Sequence, residues 1–90
     1  MAWRIELVDD AKKDLAKLDK PIARRITAFL RERIATLDDP RTLGESLKGT
    51  RLGQLWKYRV GDYRIIASIE DRRVCVMMVR IGHRREVNRG

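Results

Sequence analysis

Residues 55–69 decide the fold, and they read LWKYRVGDYRIIASI. Apolar and polar side chains alternate on both sides of Gly61-Asp62, which is the pattern of two half-buried strands joined by a tight two-residue turn. A turn of this length pairs Arg59 with Arg64 across the two strands. The apolar face of the predicted hairpin then carries Trp56, Tyr58, Val60, Tyr63, Ile65 and Ala67.

The other face of this hairpin brings three cations together, Lys57, Arg59 and Arg64. Like charges that face each other across a strand pair are unfavourable, and we expect no acid on that face to relieve them. We therefore expect a ligand to supply the compensating charge. Phosphate groups fit best, because an Arg fork binds them through two hydrogen bonds and Lys adds a compact charge. The alternative is an ordinary solvated face with long side chains.

The chain before the hairpin predicts one strand and two helices. Residues 3–7 alternate as a strand does, and Ala11, Leu15 and Leu18 recur at helical spacing. A second helix begins after Asp19, a natural cap, and has Pro21 in its first turn. Its apolar stripe is formed by Ile22, Ile26, Phe29, Leu30, Ile34 and Leu37. Residues 41–54 show no clear periodicity and predict a loop.

Val74 to Ile81 is a nearly continuous apolar run, typical of a strand inside a sheet. The predicted order is β-α-α-β-β-β. This order predicts an α+β domain in which two N-terminal helices pack on an antiparallel sheet, with the first strand at an edge or in the middle. The 90 residues make one domain, residues 1–90, because no room remains for a second core.

The formal net charge is +8, and it is distributed unevenly. Residues 1–45 hold 10 Lys and Arg against 9 Asp and Glu, whereas residues 46–90 hold 11 against 4. This excess indicates a polyanionic partner for the C-terminal half. No apolar run approaches a membrane span, and the N-terminus carries acids where a signal peptide would not, so we expect a soluble, cytoplasmic protein.

Further basic residues flank the hairpin and extend the predicted patch. They are Lys48 and Arg51 before it, and Arg80, Arg84 and Arg85 after it. His83, the lone histidine, is a surface residue or a proton shuttle. Cys75 lies in an apolar strand and is expected in the core. Because it is the only cysteine and His83 the only histidine, a disulfide or a zinc site within the chain is excluded.

The sequence contains no phosphate-cradling P-loop and no paired-carboxylate site. An enzyme of this composition would act on a phosphodiester without metal or cofactor. RNA is the natural substrate for that chemistry, because its 2′-hydroxyl is a built-in nucleophile. A cationic cluster lowers the barrier by holding the scissile phosphate and stabilising its added negative charge.

Two stretches resemble the RelE toxins of the RelE/ParE superfamily: Trp56 to Ile65, and Val79 to Val87. Leu47-Lys48-Gly49 and the Ala11 to Asp19 pattern are similar as well. The resemblance implies a ribosome-dependent endoribonuclease that cuts messenger RNA and belongs to a toxin–antitoxin pair. It also implies a RelB-like antitoxin partner and binding of operator DNA by the two proteins together.

The resemblance also implies roles for single residues. Lys57 and Arg59 match the basic residues of the active strand, which aid proton transfer and stabilise phosphate. Arg64 matches the arginine that holds the scissile phosphate, Arg84 a general acid or phosphate clamp, and Lys48 a contact to the RNA backbone. Family members commonly have tyrosine where this chain has Asn88, which can neither stack on a base nor titrate.

Two other functions stay open at this point. One is a ParE-like inhibitor of DNA gyrase without nuclease activity, which the absent tyrosine favours and the basic set disfavours. The other is a module that binds nucleic acid without catalysis, which predicts salt-sensitive RNA binding and no cyclic phosphate ends.

Overall fold

A computed structural model describes residues 3–47, 55–83 and 85 of the chain. Its strands are β1 (Arg4–Leu7), β2 (Glu45–Leu47), β3 (Leu55–Val60), β4 (Tyr63–Glu70) and β5 (Cys75–His83). Its helices are α1 (Asp9–Ala16) and α2 (Lys20–Phe29), and α2 continues into a π-helical turn, Leu30–Ile34. Two 3-10 turns, Pro40–Thr42 and Asp71–Arg73, complete the elements.

The predicted hairpin forms in the predicted register. β3 and β4 pair antiparallel, with Val60 opposite Tyr63 and Arg59 opposite Arg64. Gly61 takes a φ of 60°, which only glycine adopts without strain and which a two-residue turn requires. The local alternation therefore predicted both strands and their pairing correctly.

The five strands form one sheet in the order β1-β5-β4-β3-β2. The α+β prediction is confirmed, with two N-terminal helices on one face of the sheet: α1 packs against β5 and α2 against β3. β1 lies at an edge, one of the two predicted places, and it runs parallel to β5, so the sheet is mixed where an antiparallel sheet was predicted. Because β1 runs parallel to β5, it ends beside Met78, and α1 begins there. The helix then packs against β5, with Asp14 bonded to Arg80 and Ile81.

The predicted loop at residues 41–54 contains an additional strand. β2 pairs antiparallel with β3 and places Glu45 opposite Lys57. The segment before it is held against the sheet, because the buried Tyr58 hydroxyl donates a hydrogen bond of 2.7 Å to the carbonyl of Pro40. Arg41 also bonds both carboxylate oxygens of Asp71, at 3.1 and 2.6 Å. These long-range contacts fix a segment that has no periodicity of its own.

The core lies between the helices and the sheet. Ile26, Leu30 and Ile34 are buried, as the apolar stripe predicted. Residues four apart drift by about 40° per step around an α-helix, because 3.6 residues make a turn. The π-helical turn, in which the Ala35 N–H donates to the carbonyl of Leu30, is wider and keeps Ile34 on the buried side.

None of the helices in the described part of the chain has the length and apolar character that crossing a bilayer requires.

Replacing Tyr58 by Phe tests the contact that holds the 40–42 turn. The change leaves the buried carbonyl of Pro40 without a donor, so we expect the free energy of unfolding to fall by about 1 kcal/mol. Urea denaturation followed by tryptophan fluorescence measures it. Tyr63→Phe is the matched control, because the described structure shows no hydrogen bond from the Tyr63 hydroxyl. Equal losses in the two variants would contradict the assignment.

The ion pair between Arg41 and Asp71 predicts a pH dependence of stability. Hydrogen bonds from Arg41 lower the pKa of Asp71 from its ordinary value of 3.8. The folded state therefore holds this carboxylate ionised more strongly than the unfolded chain does. The pair's contribution is complete above the ordinary pKa and is lost as the pH falls through the lowered one. We expect Asp71→Asn to reduce stability at pH 7 and to flatten the acid limb of the stability profile, measured by urea denaturation at stepped pH.

Candidate nucleic-acid interface

The face of the sheet that points away from the helices carries the predicted cations in two neighbouring rows. One row runs across the strands from Glu45 through Lys57 and Ile66 to Arg80. The next row, nearer the turn of the hairpin, contains Arg59, Arg64 and Gly82. Neighbouring strands lie about 4.8 Å apart, so the two rows gather four basic positions at one end of this face.

Arg59 is exposed, as is Arg80 in the neighbouring row. Within residues 3–47, 55–83 and 85, Arg59 has no hydrogen-bond or ion-pair partner. Its neighbour across the strand pair is another arginine, so the position is electrostatically unfavourable without a ligand. This is the arrangement that the sequence predicted for an anion-binding residue.

Arg64 differs from the prediction, because it is buried, with 3% of its surface exposed. Its Nη1 donates hydrogen bonds of 3.0 Å to the carbonyls of Gly61 and Tyr63, which folds the guanidinium back onto the hairpin turn. Its neighbour on β5 in the strand ladder is Gly82. Its Nε is buried without a partner. Arg64 is therefore buried in the predicted register, whereas the prediction grouped it with Lys57 and Arg59 on an open face.

The expectation that no acid relieves the cationic face is also wrong. Lys57 Nζ lies 3.9 Å from a carboxylate oxygen of Glu45, which comes from the strand β2 that the sequence did not predict. The lysine side chain is 18% exposed. The three hairpin cations thus have different surroundings: Arg59 faces solvent, Lys57 faces a carboxylate and Arg64 faces backbone carbonyls.

The residues expected to extend the patch do so unequally. Arg80 lies in the same row as Lys57, and its Nε donates a hydrogen bond of 2.9 Å to Asp14 of α1. Asp14 also accepts from the backbone N–H of Ile81, so the carboxylate joins α1 to β5. Arg85 is exposed, whereas Lys48, Arg51 and Arg84 lie outside the described residues.

His83 lies on the helix side of the sheet, across from the cations. It pairs with Tyr63 in the ladder, and the two rings meet edge to face with centroids 5.6 Å apart. Its Nδ1 accepts a hydrogen bond from the backbone N–H of Arg85. The histidine also lines a pocket of about 340 Å³ beside Asp14 and Lys17. The structure does not bring His83 together with Arg59.

The far end of the same face shows how ordinary surface cations are placed in this protein. Arg73 bonds Glu70 at 2.8 Å and Glu6 at 3.1 Å, and Arg4 lies 3.2 Å from Glu6. The Cys75 thiol donates to Glu6, which lowers the pKa of that carboxyl, and burial raises the pKa of the thiol. Cys75 is thus the buried core residue that was predicted.

No group of three or more His, Cys, Asp or Glu side chains in the described ranges is placed to hold a metal ion. Sequence reasoning missed two acids of this region, Glu45 and Asp14. The local sequence around these acids does not predict their partners, because Glu45 contacts Lys57 and Asp14 contacts Ile81, which are distant in the chain.

Comparisons with known proteins agree with this architecture. The chain superimposes on the RelBE2 toxin–antitoxin complex of Mycobacterium tuberculosis with a TM-score of 0.82, 25% identity and 93% of each chain covered. It superimposes on the archaeal RelE–RelB complex of Pyrococcus horikoshii with a TM-score of 0.72 and 28% identity, covering 93% of this chain and 97% of that one.

The isolated Escherichia coli RelE toxin shares the fold at 19% identity, with a TM-score of 0.69 over 91% of this chain and 84% of that one. No curated protein sequence matches the chain significantly. The family model of the ParE toxin of type II toxin–antitoxin systems, parDE, matches residues 5–88. The chain therefore belongs to the ParE toxin family, within the RelE/ParE superfamily of type II toxins.

Proposed function

We propose that this toxin is a ribosome-dependent endoribonuclease that cleaves messenger RNA and so inhibits translation. The observation that carries the proposal is Arg59, an exposed arginine with no partner in the described residues, directly opposite a second arginine. Folding gains nothing from such a position, whereas an RNA phosphate would be bound by it through two charge-assisted hydrogen bonds.

The proposed reaction is an attack of the RNA 2′-oxygen on the adjacent phosphorus. The new P–O2′ bond forms and the P–O5′ bond breaks, which leaves a 2′,3′-cyclic phosphate and a 5′-hydroxyl end. The 2′-hydroxyl gives up its proton to a base, and the departing 5′-oxygen gains one from an acid. The extra negative charge on the phosphoryl oxygens is what a fixed cation stabilises.

We assign a role in this reaction to each hairpin cation from its surroundings in the structure. Arg59 binds the scissile phosphate, Lys57 serves proton transfer beside it, and buried Arg64 holds the turn that fixes Arg59. Arg84 and Asn88 lie outside the described residues. The role of Arg84 as general acid or phosphate clamp, and the effect of Asn88, therefore rest on the resemblance. Asparagine in place of the family tyrosine predicts weaker catalysis, since it has no aromatic face and no titratable proton.

We propose a RelB-like antitoxin as partner, with acidic side chains that meet part of the cationic face. Two of the similar solved structures are complexes of RelE-type toxins with their antitoxins, which supports this proposal. Binding of operator DNA by the two proteins together is part of the same hypothesis.

Inhibition of DNA gyrase is the second candidate function, because the matching family model is that of the ParE toxins. The two functions predict different damage in the cell. A gyrase inhibitor leaves messages intact and produces DNA breaks, whereas the proposed nuclease does the reverse.

Primer extension on a translated message after induction of the toxin tests the proposal. We expect cuts confined to the translated region, with 2′,3′-cyclic phosphate ends, and no cuts when ribosomes are absent. Intact messages together with DNA breaks would replace the nuclease by the gyrase inhibitor. RNA binding without new ends would leave a non-catalytic module.

Single alanine variants test the different roles of the two paired arginines. Arg59→Ala removes the phosphate ligand, so we expect cleavage to fall about 100-fold or more, with stability changed by less than about 0.5 kcal/mol. Arg64→Ala removes two hydrogen bonds and buried packing, so we expect a loss of about 2 kcal/mol in the free energy of unfolding. Primer extension and urea denaturation measure the two effects.

Arg24→Ala is the matched control, since it removes the same charge from an exposed position on α2. An Arg59→Ala protein that cuts at the rate of this control would place the phosphate site elsewhere. An Arg64→Ala protein as stable as the control would show that the buried guanidinium does not support the turn.

A further inference from the structure

The segment before β2 brings one acidic side chain to the edge of the cationic face. The Tyr58 hydroxyl holds the carbonyl of Pro40, and Arg41 is bound to Asp71. Gly44 passes so close to Tyr58 that a Cβ on it would lie 3.2 Å from the ring. These contacts fix the path of the chain, and the next residue, Glu45, emerges opposite Lys57.

The contact between Glu45 and Lys57 does little for stability. The Nζ–Oε2 distance is 3.9 Å and the glutamate side chain is 63% exposed, so solvent screens the pair. The Glu45 carboxylate has a larger effect on a bound anion. A phosphate bound at Arg59, two residues along β3 from Lys57, would lie within a Debye length of this carboxylate and would be repelled by it.

On the basis of the proposed nuclease function, we propose that Glu45 is a positioning residue that sets the affinity of the cationic face for RNA. Its carboxylate holds the Lys57 ammonium toward the β2 edge and repels phosphates there. An RNA strand must displace this internal anion before Lys57 reaches its phosphate. The toxin therefore binds RNA more weakly than its cations alone would allow, and binding is directed toward Arg59 and the hairpin turn.

The other acids near the sheet do not have this position. Asp14 bonds Arg80 but also caps the Ile81 N–H, so its carboxylate is part of the framework between α1 and β5. Glu6 and Glu70 lie at the opposite end of the sheet. Among the described residues, Glu45 is the acid that the strand pairing sets against a hairpin cation.

Glu45→Gln tests the inference, since it removes the charge and keeps the shape of the side chain. We expect the affinity of the purified toxin for a short oligouridylate to rise about threefold to tenfold, measured by fluorescence anisotropy at several salt concentrations. Glu32→Gln, which raises the net charge equally from an exposed position on the π-helical turn, is the matched control and is expected to change affinity less than twofold.

The same substitution made in Lys57→Gln protein separates an action of Glu45 through Lys57 from a general effect of charge. In Lys57→Gln protein, we expect Glu45→Gln to raise affinity by clearly less than in the wild type, because only the direct repulsion between carboxylate and phosphate remains. Equal effects of the substitutions at positions 45 and 32, or a full effect of Glu45→Gln without the lysine, would overturn the inference.

A failure of the proposed nuclease function can be distinguished from a failure of the role assigned to Glu45. A wild-type toxin that neither binds oligouridylate nor cuts messages would refute the nuclease. The salt concentration that elutes each variant from heparin still compares the cationic faces in that case. Later elution of Glu45→Gln than of Glu32→Gln would support the role of Glu45 toward a polyanion, and identical elution would overturn it.

Discussion

The turn at Gly61-Asp62 constrains the rest of the structure. Because two residues close it, β3 and β4 pair in a single register, and Arg59 must face Arg64. The same register turns Tyr58 and Ile65 toward the helices, where both are fully buried. One local geometry thus decides which side chains build the core and which form the cationic face.

The cationic face shows how a small protein accommodates charges that folding does not favour. Arg64 withdraws onto two backbone carbonyls, Arg80 is held by Asp14, and Lys57 is set against Glu45. Each contact lowers the repulsion within the group by a different means. Arg59 also remains exposed, and among the described residues it is the cation of this group that has no hydrogen-bond or ion-pair partner.

The sequence was most informative where structure depends on neighbours in the chain. The hairpin, both helices and β5 follow from local periodicity, and so does the grouping of Lys57, Arg59 and Arg64 on one face. The direction of β1 and the existence of β2 depend on contacts between distant residues, such as those of Tyr58 with Pro40. The side-chain conformation of Arg64, which folds back onto the carbonyls of Gly61 and Tyr63, is a property that alternation within one strand does not report.

The parallel pairing of β1 with β5 has a consequence for the timing of folding. Residues 4–7 find their partners at residues 75–78, near the other end of the chain. During synthesis the first strand must therefore wait until the last has left the ribosome, and contacts this distant form slowly. The five-stranded sheet therefore closes only after residues 75–78 are available, and the pairing of β1 with β5 is the step that joins the two parts of the fold.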